Sequence, residues 1–245
     1  MKIESFEGIV LSETNYSESS KILNVLTDKH GQIGIMSKGC RSMKSKLRGV
    51  SRKLVYGTFH VYYKENGLST LIGVDVINSF SNIIMDLERV SYASLILDLT
   101  YQVIRHNEEV NIFDLVKDIL IKLDEGLSPL GLALTFELKA LEYLGVMPNI
   151  DGCSLCGSNK SIVTLSARNG GFICSNCHTN EKIASDKTIK IIRMLYYVDI
   201  KSISKLEISD EVLKEINEFL DEYYDKYTGI YLKSKEFIKK LNILK

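Results

Sequence analysis

Four of the five cysteines occur as two closely spaced pairs. Cys153 pairs with Cys156 and Cys174 pairs with Cys177, with 17 residues between the inner cysteines. Two residues between thiolates allow one tight turn to present both sulfurs to the same ion, and Gly157 follows the first turn. Four thiolates complete a tetrahedron and leave no position for water. The spacing therefore predicts one structural Zn²⁺ rather than a catalytic metal.

Other uses of these cysteines fit less well. A thioredoxin-like redox site needs one such pair, not two. The segment Cys174–His178 also matches the attachment string of c-type haem, but a second cysteine pair lies upstream and we expect no export signal. His178 could replace a cysteine as a ligand. Cys40 stands alone, and we expect it to be a small residue without a role.

A second candidate site is a basic segment between residues 38 and 53. It holds seven cations and no acid, and its glycines and serines could approach a phosphate chain closely. Residues 1–80 carry 11 basic and 7 acidic residues, a net of +4, whereas residues 81–245 carry 20 and 24, a net of −4. This asymmetry predicts an anionic partner for the first part. The seven candidate nucleic-acid contacts are Lys38, Arg41, Lys44, Lys46, Arg48, Arg52 and Lys53.

The alternative is that the basic segment is a disordered, solvated loop that only aids solubility. Four aromatic residues follow it closely: Tyr56, Phe59, Tyr62 and Tyr63. Strand alternation predicts that about half of them point into a core and half point outward, where they could stack on bases.

The elements that carry the basic segment read as β-structure. Short runs rich in β-branched and aromatic residues are separated by turn signals. Five short strands in about 80 residues predict a small barrel, with an OB-fold as the first candidate and an SH3-like barrel as the alternative. The predicted strands are 9–11, 22–26, 33–36, 59–63 and 68–72.

From about residue 82 the apolar period becomes helical, so the predicted fold class is α+β. One predicted face includes Ile83, Leu87 and Leu99. Ser128-Pro129 predicts a helix start, and Gly145 with Pro148 predicts its end. The other predicted caps are Asn111, Asp186 and Ser209, and a last helix follows the tyrosine-rich stretch 223–231. Between the cysteine pairs we expect a small hairpin of 161–165 and 171–173.

The composition bounds the function further. Hydrophobic residues make up 45% and charged residues 25%, which excludes wholesale disorder and a fibrous repeat. No apolar run approaches a membrane span, and two acids near the N-terminus predict no signal peptide, so we expect a cytoplasmic protein. No nucleotide-binding or hydrolase motif occurs, and the four histidines are scattered. We therefore expect no enzyme; of the carboxylates, Glu137 or Glu142 is expected to be partly buried.

Taken together, these motifs resemble the RecO family of bacterial recombination mediators over nearly the whole chain. The most specific match is Phe136–Pro148 running directly into Cys153–Gly157, completed by Gly170–Cys177. Weaker matches are Tyr16–Glu18, Ile22–Gly31 and Lys38–Ser45. The resemblance implies an N-terminal OB domain at 1–80 and a helical domain at 81–245, with a zinc-binding insert at about 148–182.

The resemblance also implies a function. RecO proteins bind single- and double-stranded DNA without sequence preference, anneal complementary strands without ATP, and associate with the nucleoid. With RecR they help RecA load onto DNA coated by single-strand-binding protein, whose acidic C-terminal tail they recognise. Carried onto this chain, Lys38, Arg41 and Lys44 match the family's basic loop, and the four cysteines match its metal ligands.

Two competing functions remain open at this point. The chain could be an OB-fold and zinc-ribbon scaffold that binds only protein, with incidental nucleic-acid contact. It could also be an RNA-processing enzyme, against which the lack of a readable catalytic cluster argues.

Overall fold

The computed structural model describes residues 2–107 and 110–243. Five strands come first, a two-stranded hairpin lies among the helices, and a short 3-10 turn spans Ile200–Ser202. The strands are β1 Lys2–Tyr16, β2 Ser20–Thr27, β3 Gly31–Ser37, β4 Tyr56–Tyr63, β5 Ser69–Asn78, β6 Ile162–Ser166 and β7 Gly171–Cys174. The helices are α1 Ser81–Ile84, α2 Leu87–His106, α3 Phe113–Asp124, α4 Pro129–Tyr143, α5 Asp186–Tyr197, α6 Asp210–Tyr227 and α7 Lys233–Ile243.

The first five strands close into a barrel in the order β1-β2-β3-β5-β4. β1 is long enough to pair with both β2 and β4, which closes the sheet, and it shifts register between Val10 and Ser12. β3 and β5 pair in parallel, and the other pairs are antiparallel. The prediction placed all five strands, but β1 extends far beyond 9–11 because its ends carry polar residues that still pair along the backbone.

The barrel has its own small core. Inward-facing residues of alternating strand positions fill it, as a two-residue period requires. Its fully buried members include Leu23, Ile35, Phe59 and Val61. This core fixes the barrel wall that carries the basic segment.

The helical part is built around α2 and α4, which pack against each other and are buried on most sides. Ser128 caps α4 as predicted, because its side chain accepts a hydrogen bond from the Gly131 N–H and Pro129 occupies the first turn. Leu87 departs from its predicted place on the core face: it starts α2 and is 63% exposed.

Three predicted caps need correction in detail. Ser185, not Asp186, precedes α5 and accepts from the Thr188 N–H. α3 starts one residue later than predicted, although the Asn111 side chain accepts from the Phe113 N–H. Ser209 occupies the predicted position before α6, but its side chain makes no capping hydrogen bond.

One hydrophobic core continues from the helices into the barrel. Ile9, Leu11, Leu26 and Leu54 of the barrel part belong to the same buried cluster as the residues of α2, α3 and α4. The two parts therefore share apolar burial, which makes their contact a packed one. Among the described residues, no helix is both long and apolar enough to cross a membrane.

Candidate metal centre and nucleic-acid interface

The four paired cysteines converge on one point of the helical part. The hairpin β6–β7 brings the pairs together, as predicted, because Cys174 ends β7 and the first pair lies against the same strand. The Ser154 N–H donates to the Phe172 carbonyl at 2.7 Å, and the Cys177 N–H donates to the Cys174 carbonyl at 3.1 Å. Each pair thus sits in a tight turn anchored to the hairpin.

The sulfurs have the spacing of a metal site. The four Sγ atoms all lie within 4.8 Å of one another, and those of Cys156 and Cys174 are 3.7 Å apart. Tetrahedral coordination with metal–sulfur bonds near 2.3 Å gives sulfur–sulfur edges of about 3.8 Å. Cys153 and Cys174 are buried, whereas Cys156 is exposed. The four cysteines can therefore hold one metal ion with no room for a further ligand.

The acid–base properties of these thiols differ sharply. Burial raises the pKa of Cys153, but backbone N–H groups of Cys174, Cys156 and Leu155 donate to its sulfur and lower that pKa to about 6. The neighbouring sulfurs of Cys156 and Cys174 raise the pKa of Cys177 to about 12. Four thiolates packed this closely repel one another, so full ionisation requires a cation between them.

Two glycines permit the turn geometry. Gly157 has a positive φ of 75°, which relieves the backbone after the first pair, and its N–H donates to the Cys153 carbonyl. Gly171 has a φ of 143°, and a Cβ there would lie 2.1 Å from the Asn149 carbonyl oxygen. Asn149 pairs with Gly171 as a short parallel bridge. Sequence reasoning missed this bridge, although the Gly170-Gly171 pair just before Cys174 was a signal for close backbone approach.

His178 is not part of the sulfur cluster. Its Nε2 contacts the Glu181 carbonyl at 2.8 Å, and the candidate ligand group within the described ranges consists of the four cysteines. Cys40 lies elsewhere, in the barrel part, and is 1% exposed.

The basic segment lies on the outside of the barrel part. Six of its seven cations are exposed; they are Lys38, Arg41, Lys44, Lys46, Arg48 and Arg52. Lys53 differs from the other six: it is half-buried, and burial lowers its pKa while Asp98 of α2 opposes that shift. Its side chain therefore faces the helical part rather than open solvent.

Hydrogen bonds tie the basic segment to the β1–β2 hairpin. The Arg41 N–H donates to the Ser19 carbonyl at 2.8 Å, and the Arg41 guanidinium donates to the Ser17 carbonyl at 3.1 Å. The buried Ser37 and Ser51 hydroxyls, at the two ends of the segment, lie 2.7 Å apart. Cys40, within the segment, is buried. The segment is thus an ordered series of turns, unlike the disordered loop considered as the alternative.

The four aromatic residues after the basic segment divide between core and surface. Tyr56 and Phe59 are buried, Tyr62 is 42% exposed, and Tyr63 stacks on His30 with ring centroids 4.4 Å apart. Tyr62 is therefore the member of this group with a free outer face on the barrel.

Three polar residues that are distant in the sequence, Ser5, His60 and Asp75, form a hydrogen-bonded row across neighbouring strands. The Ser5 hydroxyl lies 2.7 Å from His60 Nδ1, and His60 Nε2 lies 2.9 Å from an Asp75 carboxylate oxygen. These residues lie on the outer face of β1, β4 and β5, and the Asp75 side chain is 83% exposed. A hydrolytic triad works in a site that excludes water. This row, open to solvent, is better explained as cross-strand polar pairing.

The structure contains a buried ion pair of which the sequence indicated only the acid. Glu137, one of the two acids expected to be partly buried, is 2% exposed. Its carboxylate accepts two hydrogen bonds from the Lys235 ammonium, at 2.8 and 2.9 Å. Glu142 is exposed instead and accepts from the Tyr196 hydroxyl. The partner Lys235 is 98 positions away, so no local pattern could indicate it.

Together, the fold and site define a class: an α+β protein with a closed barrel, a helical part and a four-cysteine module able to bind metal. Comparison with known proteins is more specific. The family model described as recombination protein O, N-terminal, matches residues 1–80, and the corresponding C-terminal model matches residues 85–236.

Curated relatives match over nearly the full length. The DNA repair protein RecO of Bacillus pumilus is 33% identical over 98% of this chain and 94% of its own. The proteins of the same name from Bacillus subtilis and Listeria innocua are 32% and 30% identical, each over 98% of this chain and 95% of their own. The chain belongs to the RecO family of DNA repair proteins, which confirms the resemblance inferred from its motifs.

Proposed function

We propose that the protein is a recombination mediator that binds single- and double-stranded DNA without sequence specificity and anneals complementary strands. The observation that supports this most directly is the basic segment, whose six exposed cations are held on an ordered surface. Backbone phosphates are the natural partners of such a surface, because phosphate contacts carry affinity but no sequence information.

The mechanism would be physical rather than chemical. A cationic surface neutralises the phosphates of two strands, lowers their mutual repulsion and raises their local concentration for pairing. We propose that no residue of this chain acts as a catalyst, since annealing needs neither a nucleophile nor ATP. The polar row at Ser5 is accordingly given no catalytic role.

We propose that the barrel is an OB-fold. Five strands in a closed order with one parallel β3–β5 pair, and a positively charged outer segment, are features expected of that fold. Residues 1–80 would form this domain and 81–245 the helical domain, with the metal-binding insert at about 148–182. Acting on bacterial chromosomal DNA, the protein would work in the cytoplasm at the nucleoid.

The ion in the cysteine cluster is proposed to be Zn²⁺. Four thiolates in a tetrahedral arrangement are the donor set that structural zinc prefers, and a closed site supports structure rather than catalysis. When bound, the ion would neutralise the thiolates and hold the hairpin; Cys153, Cys156, Cys174 and Cys177 would be its ligands.

Membership of the RecO family supports three protein partners. We propose that the chain acts with RecR, that it recognises the acidic tail of single-strand-binding protein through its helical part, and that it thereby assists RecA indirectly. Exposed apolar side chains on the barrel, at Ile3, Tyr62 and Ile72, favour a protein contact there in addition to DNA. A scaffold that binds only protein is therefore the second candidate function.

Charge reversal in the basic segment tests DNA binding. The triple change Arg41→Glu, Lys44→Glu and Lys46→Glu should weaken binding of a single-stranded oligonucleotide at low salt by at least tenfold. The salt dependence should also become shallower, because each lost phosphate contact removes about 0.7 from the logarithmic slope. If all six exposed cations contact phosphates, the wild-type slope is about −4. Fluorescence anisotropy across a salt series measures both quantities.

The matched control reverses three exposed lysines of the helical part. Lys187→Glu, Lys190→Glu and Lys205→Glu change the net charge equally but lie away from the barrel. This control should bind DNA nearly as well as wild type. Equal losses of DNA affinity in both triple variants would contradict a specific role for the basic segment. Wild-type affinity for DNA that does not change with salt concentration would favour the protein-only scaffold.

A further inference from the structure

A groove of about 390 Å³ lies where the barrel meets the helical part. We call it the junction groove and define it by six of its polar or aromatic lining residues; Lys233 and three leucines complete the lining. It is formed by strands β1 and β2, helix α2 and the segment before α7. The six residues are Ser12, Asn24, Asp98, Tyr101, Gln102 and Tyr231. Its volume is within the range of small-molecule sites, so it can accept one nucleobase with part of its sugar.

The side chains of the junction groove suit a nucleobase. Tyr101 is 38% exposed and Tyr231 is 62% exposed, so both present ring surface to solvent. The Arg105 guanidinium lies 5.8 Å from the centre of the Tyr101 ring. Asn24 donates to the Ser12 hydroxyl at 2.9 Å, which leaves donor and acceptor capacity for the edge of a base. Aromatic rings with nearby cations and amides are the features of single-strand binding sites.

The junction groove and the basic segment both adjoin the β1–β2 hairpin. Ser12 and Asn24 are cross-strand partners on the β1–β2 hairpin, and Arg41 is bonded to Ser17 and Ser19 at the tip of the same hairpin. Between tip and groove, the Glu13 carboxylate accepts from the Lys53 N–H and from the Lys21 ammonium.

Lys53 links the two surfaces electrostatically. Its ammonium interacts with Asp98, a lining residue of the groove, and thereby offsets the acid that would otherwise repel a phosphate chain there. Lys233 also lines the groove and is exposed. A strand that leaves the basic segment along the hairpin therefore meets a cationic edge and then the two tyrosines.

We propose that the junction groove receives an unpaired base of a single DNA strand whose backbone lies on the basic segment. This inference rests on the proposed DNA-binding function and adds a site for the base itself. A duplex cannot place a base there without opening, because its bases are paired and stacked. The groove would therefore make the protein prefer single strands, while the basic segment binds either form.

Truncation of the ring tests the groove. Tyr101→Ala should weaken binding of an oligothymidylate about fivefold or more, the lower end of base–aromatic stacking, with the salt slope unchanged. Tyr101→Phe should bind like wild type, because the ring is retained. Neither change should alter affinity for an oligonucleotide of abasic sites or for a blunt duplex, both of which offer phosphates but no unpaired base.

Tyr197→Ala is the control, because Tyr197 on α5 is 57% exposed and lies away from the groove; it should bind oligothymidylate like wild type. A second readout does not depend on truncation. The chain has no tryptophan, so Tyr101→Trp introduces a single tryptophan whose fluorescence, excited selectively over that of the tyrosines, should be quenched by oligothymidylate and not by the abasic strand.

The outcomes separate the two proposals. If wild type binds DNA with a steep salt dependence but Tyr101→Ala binds oligothymidylate equally well, the groove proposal is wrong and the DNA-binding function stands. Equal losses on oligothymidylate and on the abasic strand would also overturn the groove, since they indicate a general defect. If wild type binds no DNA at low salt, both proposals fail.

Discussion

At the scale of single residues, the chain uses cysteine in two distinct ways. Cys174 is buried within the sulfur cluster, with its Sγ 3.7 Å from that of Cys156. Cys40 is equally buried but packs alone in the barrel part. Identical side chains with the same burial thus differ only in whether other thiols lie within reach, and this provides a matched pair for testing the metal site.

The change Cys174→Ser should abolish stoichiometric metal binding, since a hydroxyl is a poor replacement for one of four thiolates. It should also loosen the hairpin β6–β7, because metal binding in small modules contributes on the order of 10 kcal/mol to folding. Cys40→Ser should retain one Zn²⁺ per chain. Elemental analysis with a zinc-sensitive dye measures the content, and limited proteolysis measures the order of the hairpin. A wild-type protein with intact thiols and no metal would show that the site is not a zinc site.

At the scale of elements, α7 is connected to the other helices by a largely buried ion-pair network centred on Lys235. Lys235 of α7 contacts Glu137 of α4 and also Asp221 of α6, at 2.7 Å. Burial raises the pKa of the Glu137 carboxyl, and the Lys235 ammonium opposes that rise. The Tyr224 hydroxyl donates to the Glu137 backbone carbonyl and adds a second connection between α4 and α6. The Lys235 ammonium group therefore joins three helices, α4, α6 and α7.

Lys235→Met should destabilise the protein by about 3–5 kcal/mol at neutral pH, because Glu137 is left buried without a cation. The pKa of Glu137 then rises further, so the folded state of the variant binds a proton that the unfolded state releases. The contribution of this bound proton to the stability of the variant is fully present below the ordinary carboxyl pKa of 4.5. That contribution is lost as pH rises through the raised pKa of Glu137. Urea unfolding at about pH 5 and about pH 8 should show the larger deficit at the higher pH.

The control is Lys239→Met, which removes the same charge from α7. Lys239 is 56% exposed and forms an ion pair with Asp221 but not with Glu137. Loss of the Lys239 charge should therefore cost no more than about 1 kcal/mol of stability. Adding Glu137→Gln to Lys235→Met should remove the pH dependence. A deficit in Lys235→Met that does not vary with pH would contradict the assignment to Glu137.

At the scale of the whole molecule, the barrel and helices behave as one packed body. Phe80 lies between them, fully buried, with its ring 6.4 Å from that of Tyr56. Tyr56 also lies 6.4 Å from Phe113 of α3. These ring contacts join the end of the barrel to the first helices, so unfolding of either part would expose apolar surface of the other.

Phe80→Ala should therefore cost about 3–5 kcal/mol and should weaken the coupling between the two parts. Hydrogen exchange followed by mass spectrometry should show uniform slow opening in wild type, but faster exchange in the barrel than in α2 and α4 in the variant. Phe237→Ala is the control, since Phe237 is 50% exposed and its loss should stay within about 0.5 kcal/mol. Uniformly accelerated exchange in Phe80→Ala would contradict the coupling.

Local features of the fold were predictable from particular residues. Ser128-Pro129 marked the start of α4 correctly, because a cap and a proline act within one turn. The cysteine spacing indicated a metal-binding module, because its two turns are each set by neighbouring residues. Asp186 was misplaced by one residue, since Ser185 and Asp186 are both good caps and only the backbone path decides between them.

Long-range features were not predictable in this way. The seven cations of the basic segment look alike in the sequence, yet Lys53 is half-buried, with its charge acting on Asp98 of α2, while the other six are exposed. The partner of Glu137, the bridge from Asn149 to Gly171 and the junction groove all join residues that are far apart in the chain.

The sequence by itself determined the order of the elements, the four cysteines that can hold a metal ion and the family to which the chain belongs. These depend on short-range periodicity, on spacing and on motifs that are read directly along the chain. The tertiary structure alone decided which cations reach solvent, which acid is buried against which base, and where the barrel and helices leave a groove. Those outcomes depend on burial and distance in space, which chain position does not encode.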